Sequence, residues 1–400
     1  MSEWKKCKLG NVCVQVFTGG TPLTKKIEYY VNGKIPWLRT KEVNFCKINN
    51  TENYISELGL ANSAAKLVPV NSVIVAMYGQ GDTAGRVAIN KIPLATNQAC
   101  CNLVIDNDVA DYQFIYYLLK NSYFELVQRK TGSAQPNLNT QMIKDFDISL
   151  PSLPEQHAIA SILSSLDDKI DLLHHQNKTL EALAETLFRQ WFVEEAVEDG
   201  IGMLGDYVDC INGYSYKSSE LNPSKNALVT LKSFDRNGGF SMEGFKEFIG
   251  KIKPLHVVQE GDLVVAHTDI TQEAEVIGNP ALVVADPKFE KLVISMDLVK
   301  VVPLTDWISK EFLYFLMRTR EFKYHCLGCA NGTTVLHLNK EAIPTFEFPI
   351  PDKNKVIEFT KQAKELIQKI FINHKQIHNL ISTREILLPK LMSGEVRVKM

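Results

Sequence analysis

The segment GSAQPNLN at residues 132–139 is matched in type and order by GTTVLHLN at residues 332–339, an offset of 200 in a chain of 400 residues. The match continues without a gap to residues 187 and 387. Matched pairs include Ile143 with Ile343, Phe146 with Phe346, Pro151 with Pro351, Ile159 with Phe359, and Leu166 with Leu366. Upstream, with small shifts, residues 73–76 recur at 263–266. The repeat predicts a duplicated unit, in which a globular part is followed by a helix.

Composition places the chain among ordinary globular proteins. It is 45% hydrophobic and 22% charged, which is typical of a protein that buries large cores. No stretch approaches the roughly 20 apolar residues of a membrane helix, and the start MSEWKKCKLG lacks the apolar core of a signal peptide. We therefore expect a cytoplasmic protein with no membrane partner.

The eight cysteines show no regular spacing, which fits free thiols in a reducing compartment. Cys326 and Cys329 form one CxxC pair, but a zinc site needs a second pair of ligands and none follows at a suitable spacing. We interpret them as buried or incidental thiols and predict no metal site.

Charge is distributed unevenly, although the net charge is only −2. Residues 25–47 contain six basic and two acidic residues, and residues 217–253 contain seven basic and four acidic residues. Such runs are usually solvated surface. Equivalent basic regions in both repeats are also what two DNA-facing lobes would carry, and charge alone does not separate the two interpretations.

Two long helices are predicted, one after each globular part, because apolar residues recur at steps of three and four. Each segment has about 40 residues and would form a rod of roughly 60 Å. The first stripe also includes Ile162, Leu183 and Trp191. The predicted coiled-coil core is Ile159, Leu166, Ile170, Leu173, Leu180 and Leu187, with Phe359, Leu366, Ile370, Ile377, Leu380 and Leu387 in the second helix.

The chain connectivity predicts that these helices pair antiparallel, since the second helix leaves the second lobe and must run back along the first. Asn177 and Asn373 fall on the stripes. A buried asparagine there would fix register and partner, whereas the alternative is that both lie at solvated breaks. The predicted fold class is α+β, with two similar mixed α/β domains separated by two long antiparallel helices that form a coiled coil with a pseudo-two-fold repeat.

Within each lobe, strand-like runs alternate with polar loops, and the first lobe is predicted to contain one helix from Asp111 to about Arg129. The loop YGQGDTAG lacks the GxGxxG and GxxxxGK[ST] patterns, and its counterpart HTDITQEA has no glycine. We find no GxSxG or HExxH motif and no adenine-methyltransferase motif of the NPPY kind. The sequence therefore favours binding over catalysis, with loops that differ between two copies of one frame.

The chain resembles the specificity (S) subunit of type I restriction-modification systems over essentially its whole length. The residues that carry the resemblance are WKKCKLGNV, FTGGTP and GKIPWLRTKEVN, then AMYGQGDTAGRVAIN with ATNQACCNLVI, then TGSAQPNLNTQMIKDFDISLPSLPEQHAIASIL, and finally LLPKLMSGEVRV. Their order and the duplication are more specific than any one string. The second lobe departs from the pattern, with PDKNKV in place of PSLPEQ and no AMYG loop.

The resemblance implies target-recognition domains at residues 1–152 and 197–351 and long spacer helices at residues 153–196 and 352–396. Each domain would read half of a bipartite double-stranded DNA target. The coiled coil would set their spacing and dock two methyltransferase (M) subunits, with restriction-translocase (R) subunits joining the complex. The chain itself would be non-catalytic. S-adenosylmethionine, ATP and Mg²⁺ would belong to the partner subunits, with no cofactor in this chain.

For base readout we predict polar loop residues that can make bidentate contacts in the major groove. In the first lobe they are Arg39, Thr40, Lys41, Tyr78, Gln80, Arg86, Ser133, Gln135 and Asn137. In the second they are Lys232, Ser233, Arg236, His267, Thr268, Asn331, Thr333, Thr334 and His337. Asn139 and Asn339, matched in both copies, are predicted to make local hydrogen bonds instead.

Two alternatives stay open at this point. One is a scaffold that joins proteins through two lobes on a coiled coil without reading DNA. The other is a methyltransferase in its own right.

Overall fold

The structure is a computed structural model that describes residues 4–130, 137–195, 200–234, 239–270 and 274–398. By its internal contacts the chain divides into two compact units. Unit 1 comprises Met1–Ile170 and Asn379–Met400, and unit 2 comprises Asp171–His378. This division differs from the four functional segments expected above because each long helix contributes residues to both units.

Unit 1 contains a mixed set of short strands and helices. In the described residues its strands are β1 (Lys5–Lys8), β2 (Cys13–Thr18), β3 (Ile35–Leu38), β4 (Cys46–Ile48), β5 (Tyr54–Ile55), β6 (Leu67–Val68), β7 (Val73–Ala76), β8 (Val87–Asn90), β9 (Leu94–Thr96), β10 (Cys100–Ile105) and β11 (Asp147–Leu150). Its short helices are α1 (Glu57–Ala61), α2 (Tyr112–Asn121), α3 (Tyr123–Gln128) and α4 (Thr140–Lys144). The first long helix, α5 (Leu153–Arg189), begins in unit 1 and is followed by a π-helical turn, Gln190–Glu194.

Unit 2 repeats this order. Its strands are β12 (Ile201–Met203), β13 (Val208–Asn212), β14 (Asn226–Val229), β15 (Lys246–Glu247), β16 (Val257–Val258), β17 (Leu263–Ala266), β18 (Thr268–Asp269), β19 (Pro280–Leu282), β20 (Lys291–Ile294), β21 (Leu298–Pro303), β22 (Ala330–Asn331), β23 (Leu336–Leu338) and β24 (Glu347–Pro349). The helices are α6 (Lys310–Leu316), α7 (Arg320–Gly328) and the second long helix, α8 (Lys353–Met392).

The sheets of the two units share most of their topology, although β4 of unit 1 has no counterpart in the described strand order of unit 2. In unit 1 the strand orders are β2-β10-β7-β8-β4, β5-β3-β9-β6 and β1-β11, and in unit 2 they are β13-β21-β17-β19, β15-β14-β20-β16 and β12-β24. The pairing β3 with β9 is parallel, as is its counterpart β14 with β20. Among the described residues, a small sheet, β18-β23-β22, occurs in unit 2; the unit 1 residues matched to part of it, 131–136, lie outside the described residues. The repeat read from the sequence is therefore a repeat of strand pairing.

Capping residues are repeated as well. Asp111 accepts a hydrogen bond from the Phe114 backbone N–H at 2.8 Å at the start of α2. Ser309 does the same for Phe312 at 3.0 Å at the start of α6. A side-chain oxygen at this position satisfies a backbone donor that the first helical turn leaves unpaired.

Each unit has a core that joins sheet, short helices and long helices. In unit 1, Ile159 and Leu163 of α5 and Leu388 and Leu391 of α8 pack in the same cluster as the strand β10. In unit 2, Phe188 of α5 and Phe359 of α8 lie in the corresponding cluster, with their ring centroids 5.6 Å apart. The long helices are therefore covered by globular structure over part of their length.

The long helices run antiparallel in both units. In unit 2, Asn177 contacts Asn373 while Phe188 contacts Phe359, so residue numbers rise along α5 as they fall along α8. In unit 1, Asp167 forms an ion pair with Arg384 at 2.7 Å. The α+β class with two similar mixed domains and two long antiparallel helices is thus confirmed.

The predicted coiled-coil residues vary in exposure. Ile159, Ile170, Leu173, Phe359 and Ile377 are buried. Half-buried positions are Leu166, Leu180, Leu187, Leu366, Ile370, Leu380 and Leu387. The prediction is wrong for two other members of the stripe, Ile162 and Leu183, because both are exposed. Leu163 and Ala184, one residue later in each case, are buried instead because each packs into the globular core of its unit.

The helix predicted from Asp111 to about Arg129 is wrong as a single element. It is interrupted at Ser122 between α2 and α3. The backbone N–H of Ser122 donates to the carbonyl of Leu118 at 2.9 Å, which completes the last turn of α2. Among the described residues, no helix is long and apolar enough to cross a membrane.

Candidate functional site

In unit 1, three backbone hydrogen bonds bring four loops together at one edge. The N–H of Asn97 donates to the carbonyl of Leu38 at 3.0 Å, and the N–H of Met77 donates to Ala99 at 2.8 Å. The N–H of Leu138 donates to the carbonyl of Met77 at 3.0 Å. These bonds place residues 39–44, 78–86, 97–99 and 137–139 side by side. We call this set the loop edge of unit 1.

Unit 2 contains the same three hydrogen bonds at repeated positions. The N–H of Ser295 donates to Val229 at 2.9 Å, and the N–H of His267 donates to Asp297 at 2.7 Å. The N–H of Leu338 donates to the carbonyl of His267 at 2.8 Å. Residues 230–234, 267–270, 295–297 and 331–339 therefore form the loop edge of unit 2. The backbone frame is duplicated, whereas the side chains that it presents are different.

At the loop edge of unit 1, the short turn after β3 presents Arg39 and Lys41, both exposed. Lys41 forms an ion pair with Glu52. Arg86 is half-buried, and its Nη1 donates to Asn44 Oδ1 at 2.9 Å, which ties the turn after β3 to the loop after β7. The edge therefore presents guanidinium and ammonium groups on a braced backbone.

The loop after β7 adds Tyr78 and Gln80. Gln80 is exposed, and its carbonyl accepts a hydrogen bond from Thr83 Oγ1 at 2.6 Å. Burial raises the pKa of the half-buried Tyr78 phenol, with a further contribution from Cys100, so the hydroxyl stays protonated at neutral pH. Half-buried Asn137 precedes Leu138 in the loop that returns to Met77. These groups offer both hydrogen-bond donors and acceptors.

At the loop edge of unit 2, the returning loop is a hairpin of β22 and β23. Asn331 and His337 are opposite each other in this pair, and both are exposed. Thr333 and Thr334 are exposed at its tip. Gly332 has a φ of +127°, and a Cβ there would lie 2.1 Å from the Val335 carbonyl oxygen, so the turn requires glycine. Exposed Lys232 lies in the turn after β14.

Three residues predicted to contact DNA have buried side chains, and we withdraw them as contacts. Thr40 is 9% exposed, Ser233 is 0% exposed and Thr268 is 5% exposed. The Thr268 hydroxyl donates to Asp297 Oδ1 at 3.1 Å. These small polar residues fill the tight turns from which longer neighbours project. Ser133, Gln135 and Arg236 lie outside the described residues.

The prediction for the two matched asparagines is confirmed. Asn139 Oδ1 accepts from the Met142 backbone N–H at 2.9 Å, where it caps α4. Asn339 Oδ1 accepts from the Glu341 backbone N–H at 3.1 Å. Both side chains are used to shape the turn after the loop edge.

The predicted contact residues do not include the short connection after β9, where the sequence leaves open whether Asn97 and Gln98 contact DNA or cap the following strand. Residues 97–99 lie in the middle of the loop edge of unit 1, and Gln98 is exposed there next to Thr21, whose hydroxyl donates to it. Its counterpart in unit 2 contains Met296, which is 51% exposed, and Asp297. The signal that could have found them is the repeat itself, because 97–99 and 295–297 occupy the same place in each copy.

A family model described as the type I restriction modification DNA specificity domain matches residues 1–182. The chain is 27% identical over 426 residues to the type I restriction enzyme MjaIX specificity subunit of Methanocaldococcus jannaschii, with 99% of this chain and 94% of the relative covered. It is 31% identical over 168 residues to the EcoR124I/EcoR124II specificity subunit of Escherichia coli, with 41% of each covered.

Among solved structures, the chain is similar to the S subunit of a type I restriction-modification system from M. genitalium. The TM-score is 0.63 at 16% sequence identity, and the alignment covers 99% of this chain and 96% of the other. At this identity the likeness shows a shared fold.

Proposed function

We propose that this chain is a specificity subunit of a type I restriction-modification complex, like the relatives that it matches, and that it selects the DNA target through its two loop edges. Each unit would read one half of a bipartite sequence. Arg and Lys prefer guanine, and Asn and Gln prefer adenine, in major-groove contacts. Arg39, Gln80 and Arg86 in unit 1 and Lys232, Asn331 and His337 in unit 2 are the strongest contact candidates.

The observation that carries this proposal is the duplicated loop edge. Both units keep the same three backbone hydrogen bonds, yet Met77 is replaced by His267 and Asn137 by His337. A site for one shared small molecule would keep its side chains in both copies. Two edges that read different base sequences keep the frame and change the side chains.

Partner subunits would complete the function. The chain carries a net charge of −2, whereas tight binding to a duplex requires basic groups that displace counterions. We propose that two methyltransferase subunits encircle the DNA and supply much of the phosphate contact, with restriction-translocase subunits bound outside. S-adenosylmethionine would be held by the former and ATP with Mg²⁺ by the latter. The complex would act in the cytoplasm.

The long helices would set the distance between the two half-sites. Recognition faces about one helical turn of DNA apart, roughly 34 Å, would engage the same side of a duplex and leave an unread gap. The antiparallel contacts of α5 and α8 within each unit support this role, because helical segments are stiffer spacers than flexible linkers.

The experiment that tests the proposal is expression of this chain with its cognate methyltransferase subunit, followed by genome-wide sequencing of modified adenines. We expect a bipartite motif with an unread gap that disappears when the gene for this chain is deleted. The methyltransferase subunit alone is the control. An unchanged methylation pattern after deletion would favour the alternative of a scaffold that does not read DNA.

A further inference from the structure

The loop edge of unit 2 carries two neighbouring histidines. His267 immediately precedes β18, and Thr268 of β18 is the direct cross-strand partner of His337 on β23. The carbonyl of His267 also accepts a hydrogen bond from the backbone N–H of Leu338 at 2.8 Å. Residues 267 and 337 are thus held close together by backbone bonds on both sides, independently of their side chains.

The His267 imidazole has an unsatisfied polar atom. Its Nε2 is buried and has no hydrogen-bond partner among the described residues. A buried polar atom without a partner is unfavourable, and a bound water, an ion or another ligand can supply the missing partner. His337, in contrast, is exposed at the same edge.

The charged and titratable groups that face His267 are His337, Lys340 and Asp297. Burial lowers the pKa of His267 first, and His337 and Lys340 lower it further, while Asp297 opposes them. Burial and the neighbouring groups therefore favour the neutral form of His267 in the free chain. The Asp297 carboxylate also accepts a hydrogen bond from the Thr268 hydroxyl, which weakens its electrostatic stabilisation of a protonated His267.

The loop edge of unit 1 lacks this pair. The positions that make the same backbone hydrogen bonds are Met77 and Leu138, and the residue matched to His337 is Asn137. Neither Met77 nor Asn137 titrates. Any proton coupling at this position would therefore belong to one unit alone.

We propose that His267 and His337 form a paired imidazole site that takes up a proton when DNA binds to the loop edge of unit 2. The proposal rests on the proposed function, because DNA is the polyanion that supplies the phosphate or base acceptor. The negative duplex offsets the repulsion between the rings and from Lys340, and a protonated imidazole presents a donor on each nitrogen.

The sign of the effect follows from linkage. Bound DNA raises the proton affinity of the pair. At a pH between the pKa of the free chain and that of the DNA-bound chain, binding is accompanied by proton uptake. Binding to DNA therefore strengthens as the pH falls through this range. Each proton taken up makes binding tighter by about tenfold per pH unit within that window. Below the pKa of His267 in the free chain that ring is already protonated, and the pH dependence disappears.

The test is isothermal titration calorimetry of the complex of full-length chain and methyltransferase subunit with a 30-base-pair duplex that carries the methylated motif. Titrations at pH 7 in phosphate and in Tris buffer give the number of protons taken up. We expect roughly one proton per duplex for the unsubstituted chain. The double variant His267→Gln, His337→Gln should take up close to none. The control is His175→Gln, which changes an exposed histidine of α5 outside both loop edges and should behave like the unsubstituted chain.

A second measurement does not depend on DNA. Ring ¹³C–¹H spectra of the full-length chain, assigned with the two single variants, should show that His337→Gln raises the titration midpoint of His267. Tight, sequence-specific binding without proton uptake contradicts this inference and leaves the proposed function standing. Absence of sequence-specific binding contradicts both. If His337→Gln leaves the titration midpoint of His267 unchanged, the two rings do not interact and the proposed pair is contradicted.

Discussion

Arg397, near the end of the described chain, stabilises the start of the first long helix. Its Nη2 donates to Glu155 Oε2 at 2.7 Å, and its Nε donates to the other carboxylate oxygen. The Glu155 side chain is only 5% exposed, whereas that of Arg397 is 33% exposed. A bidentate pair of this kind offsets the desolvation of a buried carboxylate.

We therefore expect Arg397→Met to destabilise unit 1 by about 2 kcal/mol, because it leaves the Glu155 carboxylate buried without a charged partner. The measurement is the midpoint of thermal unfolding of the full-length chain. The matched control is Lys390→Met, which removes an exposed ion pair with Glu395 at 3.7 Å and should change stability by less than about 0.5 kcal/mol. If both variants lower the unfolding midpoint equally, the buried ion pair stabilises the chain no more than the exposed pair does.

At the residue scale, the sequence predicted the exposed loops more accurately than it predicted the exposed side chains within those loops. Thr40, Ser233 and Thr268 were chosen as polar loop residues, yet all three are buried. Short side chains fit inside these tight turns, where the Thr268 hydroxyl also bonds to the Asp297 carboxylate, and composition does not reveal this burial. Longer neighbours such as Lys41 and Lys232 project from the same turns and are exposed.

At the element scale, the pair Asn177 and Asn373 resolves the choice left open by the sequence. Both are buried, at 9% and 0% exposure, and Asn373 Nδ2 donates to Asn177 Oδ1 at 2.8 Å. The other two polar atoms, Asn177 Nδ2 and Asn373 Oδ1, have no partner among the described residues. The two side chains therefore make one hydrogen bond and leave two polar atoms without partners, within an otherwise apolar contact between the helices. Such a pair favours one helix register over neighbouring ones at some loss of stability.

We expect Asn373→Leu alone to destabilise unit 2 by about 1–3 kcal/mol, since it removes the one hydrogen bond to a buried amide. The double variant Asn177→Leu, Asn373→Leu should recover that loss, because an apolar layer needs no partner. Urea unfolding of both variants measures the difference. A double variant less stable than either single variant would contradict this interpretation.

The control is Asn379→Leu, at an exposed position of the same helix, for which we expect a change in the free energy of unfolding below about 0.5 kcal/mol.

The apolar stripe on each long helix was predictable in outline but not in detail. Ile162 and Leu183 satisfy the spacing rule but are exposed, whereas Leu163, Ala184 and Phe188 are buried. Which side of a helix is buried depends on the lobe packed against it, and spacing within the helix does not contain that information.

At the scale of the whole molecule, the repeat predicted more than any local motif. The offset of 200 anticipates equivalent sheets, equivalent caps at Asp111 and Ser309, and equivalent hydrogen bonds at Leu138 and Leu338. It does not by itself predict the small sheet β18-β23-β22 of unit 2, and the unit 1 residues matched to part of that sheet, 131–136, lie outside the described residues. Divergence is concentrated at the loop edges, which is where the proposed function needs it.

The proposed role of the helices as a spacer gives a prediction for the complex. Inserting four residues into both α5 and α8, at matched positions, adds about 6 Å to each helix. The unread gap of the methylated motif should lengthen by about one to two base pairs, with both half-sites unchanged. A four-residue insertion in the loop at residues 304–309 is the control and should leave the gap unaltered. An unaltered gap after insertion in the helices would remove the spacer role.

The central claim is that each loop edge reads its own half-site, and methylation-motif sequencing of edge variants tests it most directly. Cells that express the methyltransferase subunit with the Arg39→Ala, Gln80→Ala variant should show relaxed readout in one half of the motif only. Cells with the Lys232→Ala, Asn331→Ala variant should show it in the other half only. Changes in both halves from either variant, or in neither half from both, would contradict the claim.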